Sequence, residues 1–356
     1  MSHHFDYPQD ERLDITDAYC FPGASDDRGP RTVFGMNASP TTGTPWDSAG
    51  YYELKLDTNE DYVEDITWRF TFPVDSAGTQ HVQVAELTGK EATNRNAKGR
   101  IITPRDAPVE EVLHLDRGIK VFAGKRTDSF FNFIPFPVAV AKALADGTFP
   151  DLASLFPPHD SFLNNSVRSV LVEAPVAVTG FRRLNYWAST AIYDQGHRTW
   201  LQLQRAGGPN TTTFWDFEMG PAQININATV PSDDLAGRPA CPDTDPAVGV
   251  WGQMRDQTAA VVKAGGTYDQ GVHARPTPLA YGAWVADTLL PNVLPFIPGT
   301  NALWDPWHDI HNGKGLIEDA ADNVTRMVLN QDFTSGLTQP ASLLDYFPYL
   351  PPPPES

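Results

Sequence analysis

The chain reads as a mainly β protein, with a β-sandwich or barrel-like core, helical insertions and a helical C-terminal part. Three observations predict this. Apolar residues alternate over short runs through the first 215 residues; Gly, Pro, Asn and Asp separate those runs; and beyond about residue 250 the apolar period changes from two to three or four. Runs 32–37, 81–88, 119–124, 167–175, 184–193 and 199–205 are short and rich in β-branched and aromatic residues, as strands of a sandwich or barrel are. Tyr52, Leu54 and Leu56 share one face before residues 57–65, and Ile66, Trp68, Phe70 and Phe72 share one face after them. That stretch therefore reads as the turn of a β-hairpin.

One helix interrupts the strands. Residues 136–146 place Val138, Ala141, Leu144 and Ala145 on one side, and Gly147 supplies a stop signal. From 215 to 245 Pro, Asp, Asn and Gly dominate, which predicts a long loop or an internal boundary. Helical spacing returns at 254–264, 281–290 and 316–329, the last with Leu316, Ala320, Val324 and Met327 three or four apart. Residues 349–354 end in four consecutive prolines and predict an extended polyproline arm. The organisation expected is a single domain over 1–356: strand-rich to 215, loop over 216–250, helix-containing over 251–345, and a Pro-rich tail over 346–356.

Composition narrows the function. A 41% hydrophobic content with 11% aromatic residues is that of a folded chain with a core. A net charge of −18 repels nucleic-acid backbones and anionic membranes, so neither is an expected partner. Two cysteines, Cys20 and Cys241, cannot build a disulfide framework, and their separation leaves their pairing open. The opening Met-Ser-His-His-Phe-Asp lacks the pattern of a signal peptide, and no apolar run is long enough to span a bilayer. A cytoplasmic location is expected.

The hairpin turn carries the strongest chemical signal. Asp57, Asn59, Asp61 and Asp65, with the carbonyl of Val63, offer oxygens at a spacing of two, and Ca²⁺ takes six to eight hard oxygens. An EF-hand is excluded, because Tyr62 and Trp68 stand where Gly and Glu would be required and the flanks are strands. The two readings are a calcium-holding hairpin and a solvated acidic turn. A tyrosine at positive φ weighs against the sharp turn that the first requires.

Two histidine groups follow. His3, His4 and Asp6, with Asp14 and Asp17, place two imidazoles and three carboxylates within fifteen residues, a composition suited to a transition metal with open positions. Adjacent histidines on a strand point to opposite faces, and either Asp14 or Asp17 also suits a cap. His308 and His311, beside Trp304 and Trp307, have the i, i+3 spacing that puts both rings on one side of a helical turn. They suit a metal or acid/base site, or polar packing among tryptophans. His197 and His273 are isolated and read as solvated loop residues. The run 129–137 lines an apolar ligand pocket or forms core beneath the inserted helix. No Gly-rich phosphate loop, nucleophile elbow or Cys-x-x-Cys is present, so no nucleotide cofactor is expected.

Several of these segments together resemble a known family. Ser2-His3-His4-x-Asp6, Arg12-Leu13-Asp14-Ile15-Thr16-Asp17-x-Tyr19, Met36-Asn37, the 57–65 turn and Val121-Phe122-Ala123-Gly124 with Asp128-x-Phe130-Phe131 are similar to the bacterial domain-of-unknown-function family DUF4331. The likeness continues through Gln204-Arg205-Ala206-Gly207, Leu289-Leu290-Pro291-Asn292-Val293-Leu294-Pro295-Phe296 and Asn312-Gly313-x-Gly315-Leu316, so it covers essentially the whole chain. Lys125 and Ser129 depart from the pattern, and Tyr62 stands at an expected glycine. The resemblance implies a β-rich fold with helical insertions and a shared amino-terminal motif and hairpin; it implies no settled activity. The function expected is metal-assisted catalysis, of oxidoreductase or lyase type, on a small, fairly apolar molecule. The competing expectation is a non-catalytic, calcium-stabilised module that binds a ligand or a protein.

Overall fold

The computed structural model describes residues 11–38, 45–215, 226–227, 229–236, 238, 249–339 and 342–353. Among them are fourteen strands and six α-helices. The first part of the chain holds β1 (Ile15–Asp26), β2 (Gly29–Ala38), β3 (Gly50–Asp57), β4 (Ile66–Thr71), β5 (Gln83–Thr88), β6 (Arg100–Ile101), β7 (Leu113–His114) and β8 (Lys120–Thr127). Next come α1 (Pro135–Asp146), β9 (Ser166–Pro175), α2 (Val176–Thr179), β10 (Leu184–Asp194), β11 (Thr199–Ala206) and α3 (Thr211–Trp215). The last part holds α4 (Val250–Gly265), α5 (Pro278–Leu289), β12 (Leu294–Phe296), β13 (Leu303–Asp305), β14 (Ile310–Asn312) and α6 (Ala320–Leu329).

The strands form two large antiparallel sheets. One runs β1-β2-β9-β8-β7, the other β11-β10-β3-β4-β5-β6 with β12 also on β10, and β13 and β14 make a separate ribbon. The large sheets pack face to face. Phe34 of β2 meets Trp68 of β4 at 5.6 Å and Tyr186 of β10 at 5.5 Å between ring centroids, and the Tyr186 hydroxyl donates to the Gly35 carbonyl at 2.8 Å. Burying each such side chain contributes about 2 kcal/mol. Both sheets have free ends, so the core is a sandwich and no closed barrel forms.

The sandwich's outer faces are also covered. On β3 and β4, Glu53, Lys55 and Arg69 are buried together, Arg69 Nε bonding Glu53 at 2.7 Å and Lys55 Nζ lying 3.3 Å from it. Burial alone would raise Glu53, but Lys55 and Arg69 outweigh it and hold the carboxyl at about 2. On the other sheet, the C-terminal segment that carries the prolines lies packed as a strap. Phe347, Tyr349 and Leu350 pack with Tyr19, Phe21, Val33 and Leu171, and the carbonyls of Pro351 and Pro352 accept from Thr127 N and Oγ1. Proline lacks a donor but keeps its acceptor, which is all that this edge requires.

Four helices, α1, α4, α5 and α6, build a layer at one end. Gly282 of α5 sits against the carbonyl of Arg255 on α4, where a Cβ would collide with backbone, so the two axes approach closely only because it is glycine. Helix α6 begins at Ala320 and not at 316: Asp319 is its N-cap, accepting from Asp322 N at 3.2 Å, while Leu316 packs under the strap. Phe133 and Phe136 join the main core beneath α1. The run 129–137 is thus largely core.

Candidate functional site

The acidic turn joins β3 to β4 and is held by its own side chains. Asp57 is fully buried; its Oδ1 accepts from Asn59, Glu60 and Asp61 N, and its Oδ2 from Tyr62 N at 2.8 Å and Asn185 Nδ2 at 2.8 Å. Asp65 Oδ2 accepts from Thr58 N and Oγ1, Asn59 Oδ1 from Asp61 N, and Asp61 Oδ1 from Val63 N. Glu60 and Tyr62 take φ of 66° and 63°. The left-handed tyrosine that the sequence argued against is present, and the Asp57 carboxylate receiving its N–H offsets the strain. The side chains of 57, 59, 61 and 65 bond to the loop's own backbone. Among the described residues no group of three or more His, Cys, Asp or Glu is placed to hold a metal ion.

His308 and His311 do not share a helical face. A single 3₁₀ turn over Pro306–His308 ends where Asp309 adopts φ 58°, and the chain continues as β14, so the two rings part. His308 is exposed and bonds to the N-cap of the turn, Asp305, Nδ1 to Oδ2 at 2.7 Å. His311 turns inward. It is the cross-strand partner of Trp304, and their rings lie 5.2 Å apart. Glu318 accepts from Trp304 N at 2.7 Å and Asn323 donates to its carbonyl at 3.0 Å, which fixes this wall. Trp307 instead meets His273, which is buried, stacked on Trp284 at 4.3 Å and bonded to the Trp307 carbonyl. His273 is therefore a packed core residue and not a solvated one.

His311, Trp304 and the acidic turn meet at one groove of about 130 Å³. Tyr62 of the turn, Arg183 and Asn185 at the start of β10, Asp287 to Pro291 at the end of α5, Val293 and Pro295 complete its lining. Asn185 links the parts: it pairs in register with Asp57 on one side and Pro295 on the other. The linker after α5 is anchored by the buried Arg205–Asp234 pair, Asp234 accepting from Asn292 N at 2.8 Å and Arg205 donating to the Asn292 carbonyl at 3.1 Å.

Two polar atoms of the residues that wall the groove have no partner. His311 Nε2 and Trp304 Nε1 are buried with no hydrogen-bond partner. Burial pulls His311 below the usual imidazole range, Asp309 and Asp305 opposing and Arg183 adding to the shift. The ring is neutral at pH 7, free to donate or accept at Nε2.

The second predicted metal group divides. His3, His4 and Asp6 lie outside the described residues. Asp14 accepts from Gln204 Nε2 at 2.7 Å, whereas Asp17 pairs with Lys314 at 2.5 Å. Lys314 also lies over the Tyr19 ring at 4.4 Å. Neither carboxylate lines the groove, although the segment from His311 to Lys314 runs directly from it to β1, where Lys314 and Cys20 exchange backbone hydrogen bonds. Cys20 is buried, and Cys241 lies outside the described residues. No helix among the described residues is long and apolar enough to cross a membrane. In comparisons with known proteins, no family model and no curated sequence matches this chain.

Proposed function

We propose that the protein binds a small molecule in the groove between the acidic turn and the His311 wall. The observation that carries this reading is the pairing of a 130 Å³ groove with a half-buried neutral imidazole whose Nε2 has no protein partner. The self-capped turn then serves as a rigid rim that positions Tyr62, and the Leu290–Pro291 linker supplies an apolar floor. A cytoplasmic setting, supported by the low cysteine usage, and kinship with DUF4331, supported by the motifs spread along the chain, belong to the same proposal. The test is a panel of small fragments followed by the Trp304 indole N–H resonance. Binding members shift it, and His311→Gln weakens them by about tenfold through the lost hydrogen bond. A panel that leaves that resonance unmoved ends the proposal.

A second reading has one observation in its favour. A neutral, unpaired imidazole nitrogen is what a metal requires, so His311 is suited to hold a transition metal for catalysis on a small apolar molecule, with calcium at 57–65 as a separate ion. Elemental analysis of protein purified without added metal decides it. Iron, copper or zinc that disappears in His311→Ala supports the reading; calcium alone, or no metal, counts against it.

A further inference from the structure

We infer that the groove selects a small, largely apolar monocarboxylate, with Arg183 holding the carboxylate; this rests on the groove being a ligand site, as proposed above. Arg183 lines the groove, is exposed, and among the described residues has neither a hydrogen bond nor an ion pair. Several other arginines of this acidic chain are engaged by carboxylates: Arg31 with Glu173, Arg69 with Glu53, Arg117 and Arg100 with Glu86, Arg205 with Asp234. The one carboxylate in the lining, Asp287, is itself occupied, accepting from Trp251 Nε1 at 2.9 Å and lying 3.0 Å from Arg238 Nε. It therefore neither neutralises Arg183 nor repels an entering anion with its full charge.

The remaining donors agree in sign. Trp304 Nε1 can only donate, and it has no acceptor. Neutral His311 can present Nε2–H to the same oxygen. A guanidinium with two N–H groups on the neighbouring wall matches a planar carboxylate, which accepts bidentately from arginine. Leu289, Leu290, Pro291, Val293 and Pro295 give the lining an apolar part beside Tyr62, Asn185 and Thr288, and that part receives the body of the acid. Size sets the other bound. An apolar cavity of about 150 Å³ accommodates benzene, so this groove suits a body no larger than a phenyl ring or a short branched chain.

The probes are acetate, isovalerate, benzoate and phenylacetate, each paired with its primary amide, titrated at pH 7.5 and constant ionic strength against wild type, Arg183→Gln and Arg183→Lys. Arg183 is exposed, so its replacement leaves the fold intact. The expected result is that isovalerate, benzoate or both shift the Trp304 indole resonance, bind at least about tenfold more tightly than their amides, and lose that margin in Arg183→Gln. Arg183→Lys restores only part of it, since an ammonium cannot make the forked contact. Amides that bind as tightly as the acids, or acids indifferent to Arg183→Gln, overturn the inference while the moving indole resonance keeps the groove as a ligand site. If no acid in the set binds, the carboxylate inference falls, and an indole resonance unmoved by acids and amides alike counts against the groove as well.

Discussion

At Asp57 one carboxylate accepts from four consecutive loop N–H groups and from Asn185, all within a single turn. Each bond to a charged acceptor contributes about 1.5–3 kcal/mol where both partners are buried, and less where the loop is open to water, as it is from Asn59 to Asp61. Asp57→Ala should therefore cost about 2–4 kcal/mol in urea unfolding, concentrated in the buried bonds to Tyr62 N and Asn185. Because the stabilisation comes from backbone donors, the deficit should be equal in calcium and in a chelator. A wild-type protein that loses as much stability on chelation as the variant has lost would assign the loop to a bound cation instead. The spacing of acidic and amide side chains at every second position has two physical origins, cation binding and repeated capping of the loop's own N–H groups. Both require oxygens at the same places, so the comparison with and without a chelator is what separates them.

Elements were legible in the sequence wherever burial alone dictated the pattern. Strands β2, β9, β10 and β11 are buried over most of their length, so their β-branched and aromatic residues mark them, and α1 is closed by Gly147 in the left-handed conformation as its sequence predicts. Strand β1 was hidden because a register shift between Ile15 and Asp17 breaks its alternation, and Pro22 within it argues against a strand. Three-residue strands such as β12, β13 and β14 are too short to carry a period. The packing of the strap was hidden for a different reason: its prolines exclude ladder donors but say nothing about Tyr349, whose hydroxyl donates to Glu173 at 2.6 Å and accepts from Ala24 N at 2.7 Å. The groove was least legible of all. His311 could be singled out as a residue, but Tyr62, Arg183, Asn185 and Pro291 come from three other segments, and only the pairing of β10 with both β3 and β12 brings them to it.

Across the whole molecule, three carboxyls far apart in sequence share one electrostatic condition. Asp14, Asp128 and Asp319 are each raised from an ordinary 3.8 to about 7, burial being the largest cause in every case. Gln204 opposes the shift at Asp14; at Asp128 the neighbouring Asp17 adds to it while Phe130 N and Lys314 oppose it; at Asp319 the charge of Asp322 adds to it. The folded chain thus keeps these protons to about pH 7, whereas the unfolded chain releases them near 4. Between those values the folded state binds more protons, so stability is greatest at the acid end and declines as pH rises through the window. Glu53 runs the other way. Its folded value of about 2 lies below the ordinary 4.5, so its contribution is intact above that value and is lost only as pH falls towards 2, outside the same window. Unfolding free energy measured in urea should therefore fall from pH 5 to pH 8, by on the order of 1 kcal/mol per raised carboxyl. Asp128→Asn removes one of the three. It keeps an oxygen for Phe130 N, and Lys314 keeps Asp17, so the variant should match wild type at pH 5, exceed it at pH 8 and show a shallower slope between. A slope identical to wild type would mean that Asp128 is already ionised in the folded protein, with Lys314 and not burial governing its charge.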